Sequence, residues 1–223
     1  GDDSQSIGGY DNHSFEEDRR IIQHFLNENF SVLIFSMVGH GMNNEPIINF
    51  DKLGTIRLNS HEHFVLLETE GFRPIKFFLE PVIVTLNQID IDYSFDSYHM
   101  VGKNAGGWTT VVLSAIDTRI KESYAIGGSF PLWMSSNPKN FNGYEHYIPA
   151  FYQTANYLEL YIMSAYGDGR SLILFYNEFL VTIRDLGVQT SRKFAAIIKH
   201  PKRTMKKIKI TSICIIVALA FAF

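Results

Sequence analysis

Four short runs decide what this chain can fold into: "FSVLIFSMV" from residue 30, "SYHMVG" from 97, "SYAIGGS" from 123 and "SLILFYN" from 171. Each is too short for a core helix. The first is almost wholly apolar and β-branched, so it reads as a strand buried on both faces of a parallel sheet, and the others read as further short strands. Helical spacing fills the intervals. Phe15, Ile21, Ile22, Phe25 and Leu26 predict an amphipathic helix over 15–27, with Ser14 and Glu17 in capping-box spacing and Asn27-Glu28-Asn29 as its stop. Residues 74–90 predict a second helix, in which Pro81 forces a kink or a new start. "WTTVVLSAID" from 108 predicts a third, and the aromatic stretch 144–166 a long, proline-interrupted fourth. Strands alternating with helices imply an α/β fold, mainly a parallel sheet with flanking helices and right-handed crossovers. With 223 residues, 46% of them hydrophobic and 19% charged, the chain can bury one sizeable core. The body reads as a single domain over 1–187, opened by a glycine-rich loop over 1–13.

Charge divides the chain at the same place. Residues 1–187 carry 12 Lys/Arg against 23 Asp/Glu, a balance of −11, whereas residues 188–223 carry 8 Lys/Arg and no acid. An acidic body is unsuited to nucleic acid, whose phosphates need clustered cations. The basic tail leads into about 14 mostly apolar residues, short of the roughly 20 that span a bilayer. Three readings stay open for 205–223: a truncated membrane anchor, a signal-like segment at the wrong end of a rearranged chain, or a terminal helix. These favour a secreted, periplasmic or membrane-associated protein, with membrane contact through 199–223. The single cysteine, Cys214, rules out an intrachain disulfide and a cysteine-built metal knuckle.

The chemistry-bearing feature is "MVGKNAGGWTT", residues 100–110. A strand precedes it, a helix follows, and Gly102-Lys103-Asn104-Ala105-Gly106 has the outer glycines of a nucleophile elbow. Such a turn forces its middle residue into a strained backbone, and small neighbours let helix and strand approach. The middle residue is Asn104, and asparagine tolerates positive φ better than most. Gly102, Gly106, Gly107 and Trp108 form the frame of this corner.

From here to "AIDTRI" and "GGSFPL" the chain resembles the elbow region of α/β-hydrolases, in particular bacterial acetyl-xylan-esterase-like and dienelactone-hydrolase-like serine hydrolases. "NENFSVLIFSMVGHGMNNEP", "KFFLEPVIVTLNQI" and "YEHYIPAFYQTANYLELYIMSAYGDGR" are similar to that group too, so the resemblance covers about residues 8–180. It implies an α/β-hydrolase-like fold lacking its first strands and its C-terminal part, and a carboxylic-ester hydrolase ancestry with a small ester or acylated carbohydrate as ligand. It implies no cofactor. It places Asn104 at the catalytic nucleophile position, which cannot form an acyl-enzyme by the serine route. The family's acid falls in Asn177-Glu178-Phe179-Leu180, at Leu180, and the only histidine beyond is His200, beside Pro201 in the charged run. Ala105 and the loop Gly8-Gly9-Tyr10 match the oxyanion-binding parts, although Ile7 stands where a histidine is usual. The expectation is an impaired or inactive relative of esterases. An esterase with a rewired site, using His40 or Glu145 as base, and an incomplete gene product are the alternatives.

The remaining polar groups read more plainly. His61 and His63 put two imidazoles close together without an evident third metal ligand, so no metal site is expected, and Ser60 suits a helix cap. Gly39-His40-Gly41 reads as a tight turn after a core strand. Ser129 reads as a hydroxyl at a strand end, and Asp117 and Arg119 as the local end of the elbow helix. Glu145 and His146 read as surface positions beside Tyr144. Tyr157, Tyr161, Tyr166 and Phe151 read as core at helical spacing, or as an aryl- or sugar-stacking platform.

Overall fold

The computed structural model describes residues 12–39, 43, 45–129, 143–176, 179–184 and 213–219. The candidates Gly8, Gly9, Tyr10, His40, Gly41 and His200 lie outside these residues, as do the side chains of 12–18 that carry the capping-box pattern. In chain order come α1 (Asn12–Asn27), β1 (Ser31–Ser36), β2 (Ile47–Phe50), β3 (Gly54–Arg57), a 3-10 turn (His61–Leu67) and α2 (Lys76–Asp92). β4 (Ser97–Lys103), α3 (Ala105–Ile116) and β5 (Ile120–Ile126) follow. A second 3-10 turn (Tyr144–His146), α4 (Pro149–Thr154), α5 (Tyr157–Ser164), β6 (Ser171–Tyr176), β7 (Phe179–Arg184) and β8 (Ile213–Leu219) complete the order.

β4, β5 and β6 form a parallel sheet flanked by helices, as the alternation of runs predicts. The full sheet has six strands in the order β1-β8-β4-β5-β6-β7, parallel except for β7, which returns antiparallel along β6. β2 and β3 make a separate hairpin whose turn ends at Gly54, φ 74°. That hairpin has no counterpart in the sequence reading, because its four-residue strands are too short to carry a period.

Local chemistry accounts for the helix ends. α1 stops in a Schellman arrangement: Asn29 takes φ 63°, and the Phe30 amide donates to the Phe25 carbonyl at 3.0 Å. The rings of Phe25 and Phe30 meet edge-on at 5.7 Å, the apolar contact that accompanies such a stop. α2 continues through Pro81 rather than beginning there. The carbonyl that Pro81 leaves unpaired belongs to Phe77, an exposed residue, so water can satisfy it. The stretch 144–166 is not one helix but a 3-10 turn and two short helices, α5 starting anew at a capping box built by Asn156 and Glu159.

α3 is the centre of the core, with every residue from Gly106 to Ala115 buried. A helix buried all round must satisfy its own polar side chains. Thr110 donates to the Gly106 carbonyl at 2.8 Å, and Ser114 to the Thr110 carbonyl at 2.7 Å. Trp108 packs edge-on against Phe78 of α2 and tilted against Phe151 of α4.

The structure places residues 213–219 in the sheet. Residues 213–219 form a strand in this structure rather than a terminal helix, with Cys214 in register between Ser31 of β1 and Tyr98 of β4. Hydropathy alone does not separate these outcomes, and Ile213-Cys214-Ile215-Ile216-Val217 is richer in β-branched residues than β1. Residue 187 therefore does not mark the end of the sheet's contributors. Among the described residues, no helix is long and apolar enough to cross a membrane.

Arg170, just before β6, ties the layers together. Its side chain is buried and donates to four carbonyls: Ile120 at 3.1 Å, Met163 at 2.9 Å, Tyr166 at 3.0 Å, and Ser114. Three of these lie at the C-terminal ends of α3 and α5, where helix dipoles favour a cation. Replacing Arg170 with Met strands those carbonyls. The expected loss is about 3 kcal/mol of unfolding free energy in a urea titration, with Arg170→Lys falling between the two.

Candidate functional site

The turn between β4 and α3 has the geometry its glycines predict. Asn104 sits at φ 54°, ψ −122°, a strained conformation for a residue with a β-carbon. Backbone approach on three sides fixes it. A β-carbon at Gly102 would overlap the Gly106 carbonyl, one at Gly107 would overlap the Gly127 carbonyl, and one at Gly128 would overlap the carbonyl of Asn104 itself. The parallel ladder then extends past the strand ends. The Asn104 amide donates to the Ile126 carbonyl at 2.8 Å, and the Gly127 amide to the Phe175 carbonyl at 2.8 Å. The Asn104 carbonyl accepts from Gly107 and Trp108, which starts α3. Asn104 and Ala105 are half-buried at the C-terminal edge of the sheet, where α/β folds place their ligands.

Glu145 and His146 form a largely buried cluster with His61 instead. Glu145 and His146 are both buried, at 2% and 6% exposure, a correction to their reading as surface positions. The reason is long-range: His61 lies 84 residues away in sequence, and its Nδ1 sits 3.1 Å from Glu145 Oε1. Its other nitrogen, Nε2, faces the Val38 carbonyl at 2.9 Å. A carbonyl only accepts and an ionised carboxylate only accepts, so His61 holds both protons. Burial alone would lower its pKa, but the hydrogen bond and charge of Glu145 outweigh that and raise it. Burial likewise works against the Glu145 carboxylate, and His61 overcomes it to hold the carboxyl below its ordinary value. A doubly donating imidazolium has no lone pair for base catalysis. His61 is a clamp that fastens the end of β1 to both 3-10 turns. Glu145 Oε2 has no hydrogen-bond partner, and Gly143 leaves room for this carboxylate, which a β-carbon there would strike.

A chain of hydrogen bonds runs from α3 to this cluster. Trp108 Nε1 donates to the Tyr152 hydroxyl at 2.8 Å, which donates to the Glu145 carbonyl at 2.8 Å and lies 3.0 Å from the Tyr157 hydroxyl. Tyr157 in turn lies 2.7 Å from His146 Nδ1. Burial pushes the pKa values of Tyr152 and Tyr157 up and that of His146 down, so all three are neutral at neutral pH.

The other candidates are spread through the fold. Ser60 caps the first 3-10 turn by accepting from the Glu62 amide at 3.2 Å. His61 and His63 lie in that turn rather than on a strand, and among the described residues no group of three His, Cys, Asp or Glu is placed to hold a metal ion. Ser129 is buried, and its carbonyl accepts from the Tyr161 hydroxyl at 2.9 Å. Asp117 caps α3 and pairs with Arg119, which also pairs with Asp90. Tyr157 and Tyr161 are core, whereas Tyr166 is half exposed and Phe151 half-buried. Leu180 lies in β7, in register with Phe175. The sequence reading missed Arg170 and Tyr152, whose roles arise only when distant carbonyls and hydroxyls converge. Comparison with known proteins returns nothing: no family model, no curated protein and no solved structure matches this chain.

Two outcomes test this geometry. Gly128→Ala, at φ 70° with a carbonyl in the way, costs about 3 kcal/mol or more in chemical denaturation. Gly54→Ala, at φ 74° with nothing within 4 Å, costs only about 1 kcal/mol. The advantage of the wild type over Glu145→Gln is on the order of 3 kcal/mol. It is largest between the ordinary carboxylate value of 4.5 and the ordinary imidazole value of 6.5. A raised His61 loses its contribution as pH climbs through the folded value, and a lowered Glu145 loses its own as pH falls through the folded value. Melting both proteins from pH 4 to 9 checks the shape.

Proposed function

We propose that this chain is an α/β-hydrolase-like protein derived from carboxylic-ester hydrolases, and that it binds an ester or acylated carbohydrate at the Asn104 corner without turning it over by the serine route. The observation that carries the reading is the side chain at φ 54°, ψ −122° between β4 and α3: it is an amide where acyl transfer needs a hydroxyl beside a base. An amide in that position donates and accepts hydrogen bonds, which suits holding a carbonyl-bearing ligand. Three further facts support it. His61 is committed as a double donor to Glu145 and Val38. Glu145 is committed to His61 in turn, which removes it as a base for a rewired site. Leu180 occupies the position where the resemblance expects an acid.

The test is hydrolysis of p-nitrophenyl acetate by the full chain beside its Asn104→Ala and Asn104→Ser variants, after each has shown a cooperative melt. The expected result is a wild-type rate equal to that of Asn104→Ala, both at the buffer background. Turnover above background that disappears in Asn104→Ala would mean an active enzyme and would overturn the proposal.

A further inference from the structure

A cavity of about 550 Å³ opens between the second 3-10 turn and the start of α5, away from the residues that build the Asn104 corner. Its lining is mainly apolar, with His146, Tyr147 and Asn156 among its polar members. Ile148, Pro149 and Leu158 supply aliphatic surface, and Tyr152 and Tyr157 stand stacked at 4.9 Å with 19° between their planes. No Asp, Glu, Lys or Arg lines it. Flat aromatic and aliphatic walls favour a flat apolar guest, because burial of apolar area dominates binding in such pockets.

The polar groups of the cavity narrow the choice. Asn156 caps α5 with its Oδ1, which accepts from the amides of Leu158 at 2.9 Å and Glu159 at 3.1 Å. The cap uses the amide oxygen and does not use the Nδ2 donors. The first amides of α5 are consumed by the same cap, so the helix start offers an anion nothing. The Tyr152 hydroxyl is taken by Trp108 and the Glu145 carbonyl, and the Tyr157 hydroxyl by His146. A charged guest would be desolvated without a counter-charge.

We propose that this cavity is a binding site for an uncharged aryl compound bearing a carbonyl, as in an aryl amide or aryl ester, with the ring between Tyr157 and the aliphatic walls and the carbonyl at Asn156. The site is built by residues 146–158, so it stands whether or not the corner binds an ester. Trp108 is coupled to it through Tyr152 and reports on its occupancy.

The experiment titrates the full chain with benzamide, read by saturation-transfer NMR on the ligand and by tryptophan emission in a Trp133→Phe background. Benzoate and cyclohexanecarboxamide serve as the charged and the non-planar comparison. Leu158→Glu sets a charge at the mouth, on a residue 46% exposed in the first turn of α5, where an acid suits the helix dipole. The expected result is saturable benzamide binding, weakened about tenfold or more in Leu158→Glu and unchanged in Asn104→Ala, with both comparison compounds at least about tenfold weaker. Absence of saturable binding in both readouts overturns the proposal. So does equal binding of benzoate, indifference to Leu158→Glu in a protein that still melts cooperatively, or loss of binding in Asn104→Ala, which would move the ligand to the corner.

Discussion

Backbone-to-backbone contact at the start of α3 governs the arrangement of everything around it. Helix and strands come so close that Gly102, Gly107 and Gly128 each leave no room for a single methyl group. That closeness puts α3 against β4 and β5 with all of Gly106–Ala115 out of water. Once so placed, the helix has to be apolar or self-satisfied, which explains hydroxyls that bond back to their own turn at Thr110 and Ser114. It also explains why the indole of Trp108, fully buried, points its one N–H at a tyrosine hydroxyl. The strained backbone of Asn104 follows from the same squeeze, since the turn has to reverse direction within one residue.

Two buried cations in this fold are neutralised in different ways. Arg170 spreads its charge over carbonyls at the ends of α3 and α5 and at the start of β5, and the charge of Asp117 favours its protonated form. His61 has a single anion, Glu145, and a single carbonyl. The guanidinium solution is insensitive to pH, because arginine keeps its proton. The imidazolium solution depends on pH at both ends of the pair. One layer of the molecule is therefore fixed across the whole range, while the junction of the two 3-10 turns and the end of β1 responds to acid and alkali.

What the sequence makes legible follows the range of the interactions. The parallel strands β1, β4, β5 and β6 announce themselves as short, mostly apolar runs between helical stretches, and the corner at Asn104 through glycines whose spacing is a local steric demand. Asn29 ends α1 for a reason visible within six residues. Glu145 is a different case. Its burial is decided by His61, far along the chain, and nothing in "GYEHY" distinguishes it from a solvent-facing acid. The hairpin β2–β3 is too short for periodicity to register. For residues 213–219, an apolar β-branched run is equally compatible with a membrane segment and with the interior of a sheet, and only pairing partners decide. Whether the corner acts as the resemblance implies is a matter of chemistry, not of fold.

The position of β8 has a consequence for how the chain is made. Strands β1 and β4 are neighbours only through β8, which follows both by more than a hundred residues. During synthesis the earlier strands leave the ribosome first, and each carries an unpaired ladder edge facing the gap that the last strand fills. The slot is closed by the segment translated after all its neighbours, so the sheet assembles by insertion rather than by growth from one side. Such an order lengthens the time during which the facing edges of β1 and β4 are open to other chains.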